Sequence, residues 1–131
     1  MNAILRPRPQ VAKAQPWPFP AARQTVLDNG LNVWTFDLPG QLVISAELVI
    51  PVSLSAEPPA AEGVATIALR TSDEGSAAHP GPELARLVEQ NGAVFGGHCF
   101  PSATICGLDA PVTRLAGAMP LLAEIVREPA Y

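Results

Sequence analysis

The chain has 131 residues, 48% of them hydrophobic, with 15 prolines and a formal net charge of −4. That length suits one domain or part of one, and the apolar fraction suits a packed core. Such modest acidity gives no electrostatic footprint for nucleic acid or an anionic membrane, and no run approaches the roughly 18 apolar residues of a membrane span.

Residues 1–22 read as a Pro-rich flexible arm. The first 23 residues carry Arg6, Arg8, Lys13 and Arg23 without an acid, as in a transit peptide. Pro7, Pro9, Pro16, Pro18 and Pro20 break the amphipathic helix such a peptide needs, so a linker is the expectation. Trp17-Pro18-Phe19-Pro20 could lay two aromatics on the domain surface, but order only near the end of the arm is expected.

Arg23–Leu27 and Leu31–Phe36 flank Asp28-Asn29-Gly30. Asn-Gly between β-prone runs predicts a hairpin with a type I′ turn, in which both central residues take positive φ. From Leu42 to Val52 the pattern alternates, with Ile44, Ala46, Leu48, Ile50 and Val52 on one face. That predicts a half-buried antiparallel strand.

The next stretch runs from Glu62 to Ser76. Val64, Ile67, Ala68 and Thr71 fall at i, i+3, i+4 and i+7, and Thr66, Leu69 and Arg70 form a second stripe, so a helix is predicted. Gly75 is its expected stop. Glu62, Asp73 and Glu74 flank it and are expected as caps and solvated turn residues. A second helix is predicted over Pro82–Asn91, with Pro82 in its first turn, Leu84, Leu87 and Val88 inward, and Gly92 left-handed at its end. Val94–Phe100 and Ala103–Leu108 are expected to pair around Pro101-Ser102. A third helix is predicted from about Val112 to Arg127, with Leu115, Met119, Leu122 and Val126 inward and a kink at Pro120.

The predicted order is β-β-β-α-α-β-β-α, an α+β architecture with helices covering a largely antiparallel sheet. His79 is expected in a surface turn. His98 and Cys99 are adjacent, so on a strand they point to opposite faces; with Cys106 they make at most an incomplete metal site. The two cysteines form neither a disulfide framework nor a C-x-x-C pair, and a reducing cytoplasm is the expected location.

Several of these stretches together resemble the insulinase/pitrilysin (M16) family of zinc peptidases. The family's helix reads Glu-Gly-Leu-Ala-His-x-x-Glu-His, followed by an apolar run ending in Gly-Thr, with the two His as zinc ligands and the Glu as general base. Glu62-Gly63-Val64-Ala65 and Gly75-Ser76 keep that frame, but Thr66, Leu69 and Arg70 stand where the two His and the Glu would be. Leu27-Asp28-Asn29-Gly30-Leu31-Asn32-Val33 is similar to the family's first hairpin. Leu122 to Tyr131 is similar to the end of its helix before Pro-x-Phe. The resemblance covers about Thr25 to Tyr131 and implies a LuxS/M16 metallopeptidase-like fold, with 23–131 as the N-terminal part of one domain and the third zinc ligand, a Glu, in a part beyond it.

A catalytic zinc needs about three protein ligands and an open position. Thr is a poor substitute for imidazole, Arg stays cationic, and Leu cannot accept a proton. The resemblance therefore implies a non-catalytic member with no cofactor, where active relatives carry zinc. It also implies a protein partner, either an active M16 subunit or a second copy. In active relatives the segment after Gly-Gly lies beside the substrate peptide; here Phe95, Gly96, Gly97 and His98 hold those positions and are the candidate peptide-binding residues. The alternatives are an active zinc peptidase with ligands supplied elsewhere, and a structural subunit like the core proteins of respiratory complexes.

Overall fold

The computed structural model describes residues 9–131; positions 1–8 of the arm lie outside the described residues. The chain divides into two compact units between Gly40 and Gln41.

In the first unit, β1 (Ala22–Val26) pairs antiparallel with β2 (Asn32–Phe36), Gln24 opposite Trp34. The turn differs from expectation. Only Gly30 has positive φ, at 84°, and no non-glycine residue does. Gly30 N–H donates to Leu27 O, and Leu31 N–H donates to the Asn29 side-chain oxygen at 3.1 Å. Asn29 thus uses its amide to brace the turn, and the glycine alone takes the left-handed conformation. Trp17 and Phe19 do lie on this unit: Phe19 stands edge-on to Trp17 and to Phe36, ring centroids 5.8 Å apart in both cases.

The second unit holds β3 (Val43–Ile50), α1 (Val64–Thr71), α2 (Pro82–Gln90), β4 (Val94–Cys99), β5 (Thr104–Pro111) and α3 (Leu115–Arg127), with short 3-10 turns between some of them. The sheet is antiparallel throughout, in the order β3-β5-β4. The expected element order and the α+β architecture are therefore observed. Register fixes two faces. Ile44, Ala46 and Leu48 share one with Ala110, Leu108 and Cys106, and with Phe95 and Gly97 of β4. Ser45, Glu47 and Val49 share the other with Asp109, Gly107 and Ile105, and with Val94, Gly96 and His98.

Helices cover the first face. Ala93, Leu108, Ala110, Ala118 and Leu122 form one buried cluster, and Leu84, Leu121 and Ile125 a second, with Val88 and Phe95 packed against both. Apolar burial of this kind is the main favourable contribution to folding. The alternation of β3 is as expected, and Gly92 ends α2 with φ of 61°. The inward stripe of α3 is rotated from the expected one: Ala118, Leu121, Leu122 and Ile125 are buried, while Met119 is 40% exposed. The small Ala118 allows close approach to β5, and a 3-10 turn at Val112–Arg114 delays the start of the α-helix and shifts its phase.

Behind β3, the chain is strapped to the β4–β5 turn. Leu54 N–H donates to Phe100 O, Ser55 Oγ to Pro101 O, and Thr104 Oγ1 to Val52 O. This strap sets the approach to α1. Among the described residues no helix is long and apolar enough to cross a membrane.

Candidate functional site

The start of α1 is set by a residue five positions before the expected cap. The Glu57 carboxylate accepts from Gly63 N–H at 2.8 Å and Ala65 N–H at 2.7 Å, one through each oxygen. The two backbone amides hold its carboxyl below the usual carboxylate range, against a smaller opposing effect of burial. Gly63 takes φ of 92°, which a side chain rarely permits. Glu57, and not Glu62, therefore supplies the capping charge at the positive end of the helix.

α1 packs beside β4. Its inward side is built from Ala65, Ala68, Leu69 and Ser72, partly or fully buried, whereas Val64 and Ile67 are 51% and 65% exposed. The apolar stripe read from Val64 and Ile67 thus faces outward among the described residues. Thr66 and Leu69 are half-buried and Arg70 is exposed, on one stripe of the helix. Arg70 has no carboxylate within 4.0 Å among the described residues. A hydroxyl, an aliphatic chain and a guanidinium do not fit a zinc ion. Nor do any three His, Cys, Asp or Glu side chains converge on a metal position among the described residues.

β4 forms an edge of its sheet: among the described residues it has a neighbour, β5, on one side only. The four candidate peptide-binding residues divide between its faces. Phe95 packs into the core and Gly97 lies over Cys106, while Gly96 and His98 belong to the open face. There Gly96, Gly107 and Glu47 fall in one row across the three strands. The absent side chains leave a concavity of about 350 Å3, bordered by Glu47, Val94, His98 and Asp109. Asp109 accepts a hydrogen bond from Ser45 Oγ. The free backbone edge and the glycine trough can accommodate an extended strand.

Cys99 and Cys106 share the covered face, diagonal across β4 and β5, and both are free thiols. Burial pushes the Cys106 thiol up, and the neighbouring Cys99 adds to the effect. His98 points to the opposite face, so the three do not gather around a metal.

A cluster that sequence reasoning missed lies on the loop after α1. Ser76 is 1% exposed; its hydroxyl donates to Glu124 Oε1 and accepts from His79 N–H at 2.9 Å. His79 Nδ1 lies 2.8 Å from the same Glu124 oxygen. His79 is therefore anchored and not a bare surface turn. Burial raises the Glu124 carboxyl, but the bonds from Ser76 and His79 outweigh it and leave the group below its ordinary value. The cluster is not a Ser-His-Asp-type triad, because the serine hydroxyl and the imidazole both bond to the carboxylate and the ring does not reach the hydroxyl.

No protein-family model matches the chain, and no curated protein matches its sequence. Solved structures do. Pitrilysin is 28% identical, with a TM-score of 0.70 over 84% of this chain and 12% of that one. A peptidase M16 inactive domain from Pseudomonas fluorescens is 22% identical, with a TM-score of 0.74 over 85% of this chain and 27% of that one. A protease from Helicobacter pylori is 19% identical, with a TM-score of 0.75 over 87% of this chain and 28% of that one. The chain thus has an M16-peptidase-like fold, and it spans between 12% and 28% of the length of these structures.

Proposed function

We propose that this chain is part of a non-catalytic M16 peptidase-like subunit, which contributes walls and peptide-contacting backbone to an assembly with a zinc-bearing partner. The observation that carries the reading is the side-chain set on α1. Thr66, Leu69 and Arg70 stand along one stripe of a capped helix beside the edge strand β4. That is where active relatives, by the sequence resemblance, hold two imidazoles and a carboxylate. None of the three is a general base for water: Leu69 has no acceptor, Arg70 presents only donors, and Thr66 offers a neutral hydroxyl. What remains is a scaffold function. The unpaired N–H and C=O groups of β4, with the trough at Gly96 and Gly107, suit an extended peptide held mainly through its backbone.

The similarity to the peptidase M16 inactive domain supports this reading. Metal analysis of the purified chain tests it. The expected result is no zinc above background after incubation with excess zinc and desalting. Stoichiometric zinc that is lost on Thr66→Ala or Arg70→Ala substitution would overturn the reading.

A further inference from the structure

Ser76, His79 and Glu124 do more than tie two side chains together. Around them the loop after α1 lies against the segment that follows α3. Ala77 N–H donates to Glu128 O at 3.2 Å, Ala130 N–H donates to Gly75 O at 2.9 Å, and Ser76 forms a bridge with Pro129. Ser76 N–H also donates to His79 O at 3.0 Å, closing the loop on itself. The clasp is tight: a Cβ on Gly75 would come within 2.6 Å of Gly81 N. Two donors, from Ser76 and His79, converge on one oxygen of a carboxylate that is only 15% exposed.

We propose that Glu124 is an acid-sensitive latch: its ionised carboxylate closes the clasp between the loop after α1 and the segment after α3, and its protonation frees both. This inference stands independently of the functional reading above. Hydrogen bonds to an ionised carboxylate are about twice as strong as those to a neutral acceptor, so loss of the charge weakens two bonds at once. Protonating His79 does not oppose the closed state, since the ring still donates through Nδ1. Among the described residues no other charged group pairs with Glu124. Asp73 and Glu74 precede the loop, Glu83, Arg86 and Glu89 lie on α2, Asp109 lies on β5, and Arg127 and Glu128 end α3; none of them forms an ion pair with Glu124. Arg86 instead stands 3.9 Å from Glu83.

The linkage has a definite sign. The carboxyl is held below its unfolded value, so its contribution is fully present above the ordinary carboxylate range and is lost as pH falls through the folded value. Amide hydrogen exchange on the whole chain, corrected for intrinsic rates, reads the clasp directly. From neutral pH down to the ordinary carboxylate range, near about pH 4, the protection of Ala77 and Ala130 relative to the Leu108 amide in the central strand should hold, and below that range it should drop by about tenfold. Glu124→Gln should leave the Ala77 and Ala130 ratios independent of pH. Glu57→Gln, which removes the other carboxylate with a lowered value, should leave their pH dependence unchanged. Ser76→Ala keeps the His79–Glu124 pair and should retain a weaker dependence, which serves as the test if Glu124→Gln does not fold. A flat wild-type ratio, or an undiminished dependence in Glu124→Gln, would overturn the proposal.

Discussion

Gly107 and Gly96 sit opposite each other in the sheet, yet substitution should affect them in opposite directions. A Cβ on Gly107 would lie 2.9 Å from Glu47 Cα and 3.0 Å from the Ala46 carbonyl carbon, with the Ala46 oxygen nearer still. Ordinary contact between carbons is about 3.5–4.0 Å, so β3 would have to move away from the central strand. The clash is with backbone, which cannot turn aside as a side chain can. Overpacking typically costs about 1–3 kcal/mol, and two disturbed ladder bonds add about 1 kcal/mol each, for a total of roughly 3–5 kcal/mol. A domain of this size has roughly 5–15 kcal/mol of stability in all. At a slope of about 1.5 kcal/mol per M, Gly107→Ala should lower the urea midpoint by about 2–3 M. A Cβ on Gly96 meets nothing within 4 Å. Gly96→Ala should therefore raise the midpoint slightly, by about 0.3–0.7 M, because glycine in a strand costs about 0.5–1 kcal/mol relative to alanine. Equilibrium urea unfolding followed by circular dichroism compares the two. If Gly107→Ala stays within about 0.5 M of wild type, or if Gly96→Ala falls as far as Gly107→Ala, the inferred closeness of β3 and β5 is wrong.

Two further substitutions probe the core and the cap. Leu84 is fully buried against Leu121 and Ile125, so Leu84→Ala should cost about 2–5 kcal/mol in the same urea assay, and a loss under about 1 kcal/mol would mean that this cluster is not packed as described. Glu57→Gln should raise amide exchange at Gly63 and Ala65, because only one acceptor oxygen is left for two donors. The carboxyl of Glu57 is held low in the folded chain, so its stabilisation is present above the ordinary carboxylate range and disappears as pH falls through the folded value. Exchange at Ala65 should follow that course in the wild type and become flat in the variant; an unchanged profile would assign the cap to another group.

Much of the architecture is legible in local patterns. The alternation in β3 has a period of two, and Ile44, Ala46, Leu48 and Ile50 do face the covered side. Pro82 and Gly92 mark the ends of α2 by their own backbone preferences. Which side of a helix turns inward is a different matter, because it depends on neighbours. On α1 the large residues Val64 and Ile67 point out, and small residues let the helix approach β4. On α3 the buried Ala118 carries no hydrophobic signal strong enough to announce itself. The helical placement of Thr66, Leu69 and Arg70 is legible from the spacing that follows the Glu-Gly frame. The contact made by Glu57 is not, since it reaches the helix across a 3-10 turn, and that made by Glu124 is not, since it meets His79 from 45 residues away. No short-range pattern encodes either contact. That His98 and Cys99 point to opposite faces follows from adjacency on a strand, whereas the face taken by Cys106 depends on the pairing of β5 with β4, which no local pattern encodes.

The helix carrying Thr66, Leu69 and Arg70 owes its placement to Glu57, Gly63 and the clasp beyond its far end, none of which belongs to the triplet itself. Anchoring and chemistry are thereby decoupled. Arg70, the exposed member, can be exchanged without redirecting the backbone that presents it, whereas replacements at the half-buried Thr66 and Leu69 have to fit the packing beside β4. An engineer who installs new side chains at 66, 69 and 70 inherits a support already fixed at both ends.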